Sequence, residues 1–177
     1  MPHMLKWLAT SGTAAIVEFP WVLYRGGAEE KIRKYLIDNN YVDAVIQLPP
    51  DLFFGTSIAT CILVLKKSKK DNSVLFIDAS AEFKRGNAKN TLTPENRKNI
   101  LDAYIAREDK EHFAKLVENK AIAEKDYNIA VSSYVEQKDT REVIDITELN
   151  EKITGIVTRQ DELRKSIDAI VAEIEGK

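Results

Sequence analysis

The sequence predicts an α/β domain with an incomplete sheet, followed by one long helix. Short, almost continuously apolar runs recur through the first 80 residues and read as strands covered on both faces. A helical pattern separates the first two of those runs. From residue 146 onward a heptad repeat is sustained almost to the last residue.

Residues 3–10 form a short amphipathic segment, the end of a helix stopped by Ser11-Gly12. Ala14-Ala15-Ile16-Val17 reads as a strand ending near Pro20. Residues 27–39 read as a helix with Ala28, Ile32, Tyr35 and Leu36 on one face. Glu29 and Glu30 fall in its first turn, where negative charge suits the helix dipole, and Asn39-Asn40 ends it. Residues 42–48, 60–65 and 74–77 supply three further strands. The helix between the first two strands predicts a right-handed parallel crossover. The polar stretch 66–73 predicts a loose hairpin joining the last two, and so an antiparallel edge.

One full helix does not cover both faces of such a sheet, and the strand at 14–17 has an unpaired apolar edge, which complete domains avoid. The pattern therefore predicts further strands and helices on the N-terminal side. Residues 82–92 are polar, contain Gly86 and read as a loop. Thr93-Pro94-Glu95 starts a helix, with Thr93 as cap and proline in the first turn. That helix runs to about Ala106, with Ile100, Leu101, Tyr104 and Ile105 expected inward. Residues 110–142 read as irregular, with short helices and turns.

Asp145 with Glu148 has the form of a capping box for the last helix. Ile146, Leu149, Ile153, Ile156, Gln160, Leu163, Ile167, Ile170 and Ile174 then recur at alternating spacings of three and four. Gln160 is the one polar member, a residue type that fixes register or partner in such a seam. Val157 and Val171 broaden the stripe. The helix either folds back on its own domain or packs against another chain or another part of the protein. A seam of about 40 Å, at 1.5 Å per residue, favours the second.

Composition narrows the function classes. The 177 residues are 44% hydrophobic and 31% charged with a net charge of −2, so there is no basic footprint of a self-sufficient nucleic-acid binder. Binding within an assembly stays open. The single cysteine, Cys61, lies in an apolar run and reads as a small buried hydrophobe rather than a reactive thiol. No apolar run is long enough to span a membrane and no secretory signal is evident, so the expected compartment is cytoplasmic. His3 and His112 lack metal-ligand neighbours at useful spacing, so no metal site is expected.

Four short segments invite a chemical reading. Arg25-Gly26-Gly27 opens a helix, where free N–H groups bind anions, but no phosphate-loop spacing is present, and the residues taken alone favour a glycine turn that lets helix and strand pack closely. Leu48-Pro49-Pro50-Asp51 is similar to the Asn/Asp-Pro-Pro-Tyr/Phe of enzymes that methylate DNA amino groups. Leucine and aspartate replace the amine-binding and stacking residues, so that chemistry is excluded. Phe53-Phe54 lies in a loop between strands and offers either core packing or an aromatic that stacks on a base. Lys66-Lys67-Ser68-Lys69-Lys70 reads as a solvated turn or a phosphate contact of low specificity.

Taken in order, the segments 12–17, 23–29, 31–33, 44–49, 52–56, 60–67 and 75–80 resemble the modification subunit of type I restriction–modification systems, with 126–128 and 133–135 resembling the segment that closes its catalytic domain. The resemblance implies an adenine-N6 DNA methyltransferase. Its fold would be the C-terminal half of a Rossmann-like methyltransferase sheet, mixed and with an antiparallel edge hairpin, followed by a helical extension. Residues 1–80 would be the partial methyltransferase domain, 81–142 the segment closing it, and 143–177 the partner-binding helix. The family's glycine-rich cofactor motif and Asn-Pro-Pro-Phe motif are not found in these residues. The resemblance therefore implies S-adenosylmethionine for the complete subunit but no cofactor and no catalytic residue for this chain alone. It implies Phe53 first and Phe54 second as the aromatic packed on a flipped base. Arg25, Gly26 and Gly27, from their place at a helix start, are the candidate DNA-phosphate contacts. The resemblance implies partners too: a specificity subunit engaged by the seam from Leu149 to Ile174, a restriction subunit, and duplex DNA within the assembly. Self-association of the isolated chain through the same helix is a further expectation.

Overall fold

A computed structural model describes residues 2–138 and 146–176 of the chain. The chain divides into two units, 1–138 and 139–177. The first contains a five-stranded mixed sheet. After a short helix α1 (Pro2–Trp7), strand β1 (Thr13–Glu18) is followed by a 3₁₀ turn (Pro20–Leu23) and helix α2 (Ala28–Asp38). Strands β2 (Val42–Gln47), β3 (Cys61–Lys66) and β4 (Ser73–Asp78) come next. A small hairpin, β5 (Lys84–Arg85) and β6 (Asn90–Thr91), precedes helix α3 (Pro94–Ala106). Strand β7 (Ala114–Glu118), helix α4 (Asn119–Ala123) and a 3₁₀ turn (Val131–Ser133) complete the unit.

The strand order is β1-β3-β2-β4-β7, which confirms a mixed α/β sheet and corrects its connections. The expected hairpin between β3 and β4 does not form. Instead β3 inserts antiparallel between β1 and β2, and β4 pairs parallel with β2 on the other side. The first two strands are parallel but not adjacent. Burial explains the choice, because a central β3 buries Cys61, Leu63 and Leu65 on one face and Val64 on the other while pairing both of its edges. The Lys69 ammonium reinforces it by donating to the carbonyls of Val42 (2.6 Å) and Ser73 (2.5 Å), which ties the starts of β2 and β4 together. The expected unpaired edge is present: β1 is the last strand on its side of the sheet.

Two apolar layers flank the sheet. On one face Leu36 and Ile37 of α2 pack with Ile122, Ile129 and Val131 over Leu63, Leu65 and Phe76. Tyr134 stacks on Phe76 at 4.3 Å between ring centres. On the other face Ile100 of α3 packs over Ala44, Ile46, Leu75 and Ile77. Thr93 caps α3 as expected, with a reciprocal bond to Asn96. Leu101 and Ile105 are exposed rather than inward, because α3 leaves a shallow apolar strip open beside Ala15 of β1. In α2 the expected inward Tyr35 is exposed, and Arg33 and Ile37 are buried in its place. Residues 114–118, expected to be irregular, form β7 antiparallel to β4; five residues whose charges, Lys115 and Glu118, do not alternate with apolar positions carry little strand signal.

Among its described residues the second unit holds one helix, α5 (Ile146–Ile174). The expected Asp145–Glu148 capping box involves residue 145 and the Glu148 side chain, which lie outside the described residues.

Candidate functional site

The carboxyl ends of β1, β2 and β4 point the same way and lie level. Glu18 and Gln47 both pair with Cys61, and Gln47 pairs with Asp78. Loops 19–27, 48–60 and 79–93 therefore leave from one end of the sheet, the end at which open α/β sheets bind ligands.

The first loop is held from beneath by Arg33. This side chain is 1% exposed, and its guanidinium donates to the carbonyls of Val22 (3.0 Å), Arg25 (2.7 Å) and Tyr127 (2.8 Å). Burial lowers its pKa from the usual arginine range, against the opposing pull of Glu30 and Glu29. Gly27 precedes α2 with φ of +78° and ψ of −123°, a conformation that a side chain strains. The Arg25-Gly26-Gly27 turn thus has a backbone reason for its second glycine. All three residues are exposed, so the anion-binding reading stays sterically open. Phe19 and Trp21 in the same loop stack at 4.5 Å with planes 11° apart, and both are more than one-third exposed. Sequence reading missed this pair; the aromatic-Pro-aromatic spacing was its only signal.

In the second loop Leu48 is buried in the apolar layer, whereas Asp51 accepts ion pairs from Lys89 (2.8 Å) and Arg85 (3.0 Å). Neither residue at the ends of Leu48-Pro49-Pro50-Asp51 is free for an amino group. Phe53 is 42% exposed and Phe54 fully exposed, so neither is a core residue. The third loop brings the β5–β6 hairpin, with Lys84, Arg85 and Lys89, against the second. A polar stretch with one glycine gave the sequence reading no pairing to see.

The basic run 66–70 is elsewhere. It follows the carboxyl end of β3, at the opposite end of the sheet from the aromatic loops. Lys67 donates to the Leu8 carbonyl (2.7 Å) and Lys69 joins β2 to β4, so two of its cations hold the fold. Cys61 is fully buried, and burial pushes its thiol up to about 12, as suits a packed hydrophobe. Among the described residues no group of three or more His, Cys, Asp or Glu could hold a metal ion. No helix among them is long and apolar enough to cross a membrane.

On α5 the seam residues Leu149, Ile153, Ile156, Leu163, Ile167, Ile170 and Ile174 are 44–79% exposed, and Gln160 is exposed among them.

Comparison with known proteins places this geometry. The family model for N-6 DNA methylases matches residues 1–143. The methylase subunit of the type I restriction enzyme MpnII from Mycoplasma pneumoniae is 48% identical over 174 residues, 98% of this chain and 32% of that protein. The MjaVII methylase subunit from Methanocaldococcus jannaschii is 34% identical over 160 residues, 87% of this chain and 27% of that one. Among solved structures, the type I restriction–modification methyltransferase subunit from Streptococcus thermophilus superposes with a TM-score of 0.74 at 43% identity, over 76% of this chain and 29% of that chain. The chain spans about a third of the length of these curated relatives.

Proposed function

The chain belongs to the N-6 DNA methylase family, and we propose that it works as a region of the DNA-modification subunit of a type I restriction–modification system. In this reading it supplies the second half of the catalytic fold for adenine-N6 methylation of duplex DNA in the cytoplasm. The observation that carries the reading is the pair Phe53 and Phe54, exposed at the ligand-binding end of a sheet whose strands β2 and β4 bury their apolar side chains. An enzyme that acts on a base within a duplex extrudes it and stacks it on an aromatic. Arg25 and the glycine turn beside it would meet the backbone phosphates of the same DNA.

S-adenosylmethionine would supply the methyl group in the complete subunit. The glycine turn here does not fit it. A Cβ added at Gly27 meets nothing within 4 Å, and one at Gly26 meets the Glu30 carboxylate at 3.7 Å, so no wall encloses a ligand there. The methyl donor and the groups that hold the adenine amine are assigned to other residues of the complete subunit.

Fluorescence anisotropy of a labelled duplex with a mismatched adenine tests the reading, because a mismatch lowers the cost of extrusion. Stacking contributes about 1–3 kcal/mol per base, so Phe53→Ala or Phe54→Ala should weaken binding by about 5- to 160-fold. Unchanged affinity in both variants would remove the aromatic pair from the site.

A second reading rests on α5. Its exposed seam supports a non-catalytic module that joins the specificity subunit, and through it the restriction subunit, or a second copy of this chain.

A further inference from the structure

Leu52 packs against the apolar layer, but beyond it the Phe53–Phe54 loop leaves the core. Phe54 is fully exposed, and the loop closes on itself through the Asp51 N–H to the Ser57 carbonyl at 3.3 Å. A loop so exposed would sample many orientations, and binding would have to order it. Instead, the adjacent hairpin grips it with polar bonds. Lys89 Nζ donates to the Asp51 carboxylate (2.8 Å) and to the Thr56 carbonyl (3.1 Å), spanning both ends of the loop. Arg85 donates to the other Asp51 oxygen (3.0 Å) and to the Asn90 side-chain oxygen (3.1 Å). Asn90, a buried polar residue, donates from its amide side chain to the Pro50 carbonyl (2.9 Å) and from its backbone to the Asp51 carbonyl (3.0 Å).

Both partners in this grip are themselves held in place. The hairpin turn is tight enough that a Cβ on Gly86 would sit 2.5 Å from the Lys89 carbonyl oxygen, so glycine sets the position of Lys89. Below it, Glu82 accepts bonds from Asn96 (2.9 Å) and Asn99 (3.2 Å) and ties the start of the hairpin segment to α3. Asp51 has a φ of +61°, a left-handed conformation that aspartate tolerates better than most residues. A path of hydrogen bonds thus runs from a core helix through the hairpin to the aromatic loop.

We propose that the β5–β6 hairpin is a brace that positions Phe53 and Phe54 for a nucleic-acid base, and that Asp51, Lys89 and Asn90 are its positioning residues. This rests on the reading of the aromatic pair given above. It also assigns a role to Asp51, which stands at the stacking position of Leu48-Pro49-Pro50-Asp51. Preorganised by the brace, the loop meets the base without an ordering cost.

Amide hydrogen exchange on the full chain tests the brace without DNA. Lys89→Met and Asp51→Asn should each speed exchange at the hydrogen-bonded amides of residues 51, 58 and 90 by about tenfold or more, as expected when a local opening becomes easier by over 1.4 kcal/mol. Exchange in β3 should not change, and Lys89→Arg should restore the slow rate. Unchanged loop exchange, or equal acceleration in β3, overturns the proposal. The duplex titration separates this from the reading beneath it. If the loop is loosened by Lys89→Met while Phe53→Ala and Phe54→Ala keep full affinity, the brace stands and the base contact falls.

Discussion

The Tyr104 hydroxyl donates to the Asp43 carboxylate across 2.6 Å, joining α3 to the start of β2. Asp43 sits at a bulge, where the pairing of β2 with β3 slips between Val42 and Ala44. The extra residue lets both Val42 and Val45 face the layer under α2 and leaves the Asp43 side chain to α3. Arg107, at the end of α3, completes the contact by donating to the other Asp43 oxygen at 3.1 Å. Burial, with the bond to Asp43 second, pushes the Tyr104 phenol up to about 12. Hydrogen bonds to a charged partner contribute about 1.5–3 kcal/mol each. Tyr104→Phe should therefore cost about 2 kcal/mol, and Asp43→Ala about 3 kcal/mol, since it leaves two donors unmet. Urea denaturation followed by tryptophan fluorescence measures both, and losses below about 0.5 kcal/mol would place the contact among ordinary surface pairs.

Lys69 predicts the alkaline behaviour of the fold. Burial lowers its pKa to about 8, with Asp71 and Asp43 opposing, while a lysine in the unfolded chain titrates near about 10.4. Between those values the unfolded chain binds more protons, so stability should rise with pH. Above about pH 10 the sign reverses, because burial holds Tyr104 and Tyr134 at about 12 while unfolded tyrosines ionise first. Melting temperatures at about pH 7.5 and 9.5 should show the rise in the natural chain. In Lys69→Met the rise should vanish, with lower stability at both values because the Val42 and Ser73 carbonyls lose a donor.

The exposed seam of α5 predicts a separation of assembly from folding. Ile167→Asp with Ile170→Asp puts two charges into a seam of apolar residues. Association with a specificity subunit, or of the chain with itself, should fall at least tenfold in sedimentation experiments. The cooperative melting of the sheet unit should stay where it was. Full association by the double variant would show that the seam is not the contact surface.

Local order supplied much of the fold reading. The apolar runs at 42–48, 60–65 and 74–77 became strands because their side chains have nowhere to go but a covered sheet. Thr93-Pro94 began a helix because cap and φ are properties of those residues alone. Leu101 and Ile105 show the limit: their spacing is helical, yet their burial depends on how much of the sheet α3 covers. Phe53 and Phe54 were legible as unusual because adjacent side chains diverge, but only the surrounding fold shows that both stay out of the core.

By itself the sequence determined the longer elements, though not β5, β6 or β7, the seam of α5 and, through its ordered motifs, the family. Tertiary structure alone decided that β3 lies between β1 and β2 and that Lys89 reaches Asp51 across 38 positions of sequence. It also decided that the Lys66–Lys70 run sits at the far end of the sheet from the aromatic loops. The physical reason is range. Caps, periodicity and apolar runs are set by neighbours within a few residues. Strand order and ion pairs are settled by which distant surfaces bury each other and which buried polar groups find partners.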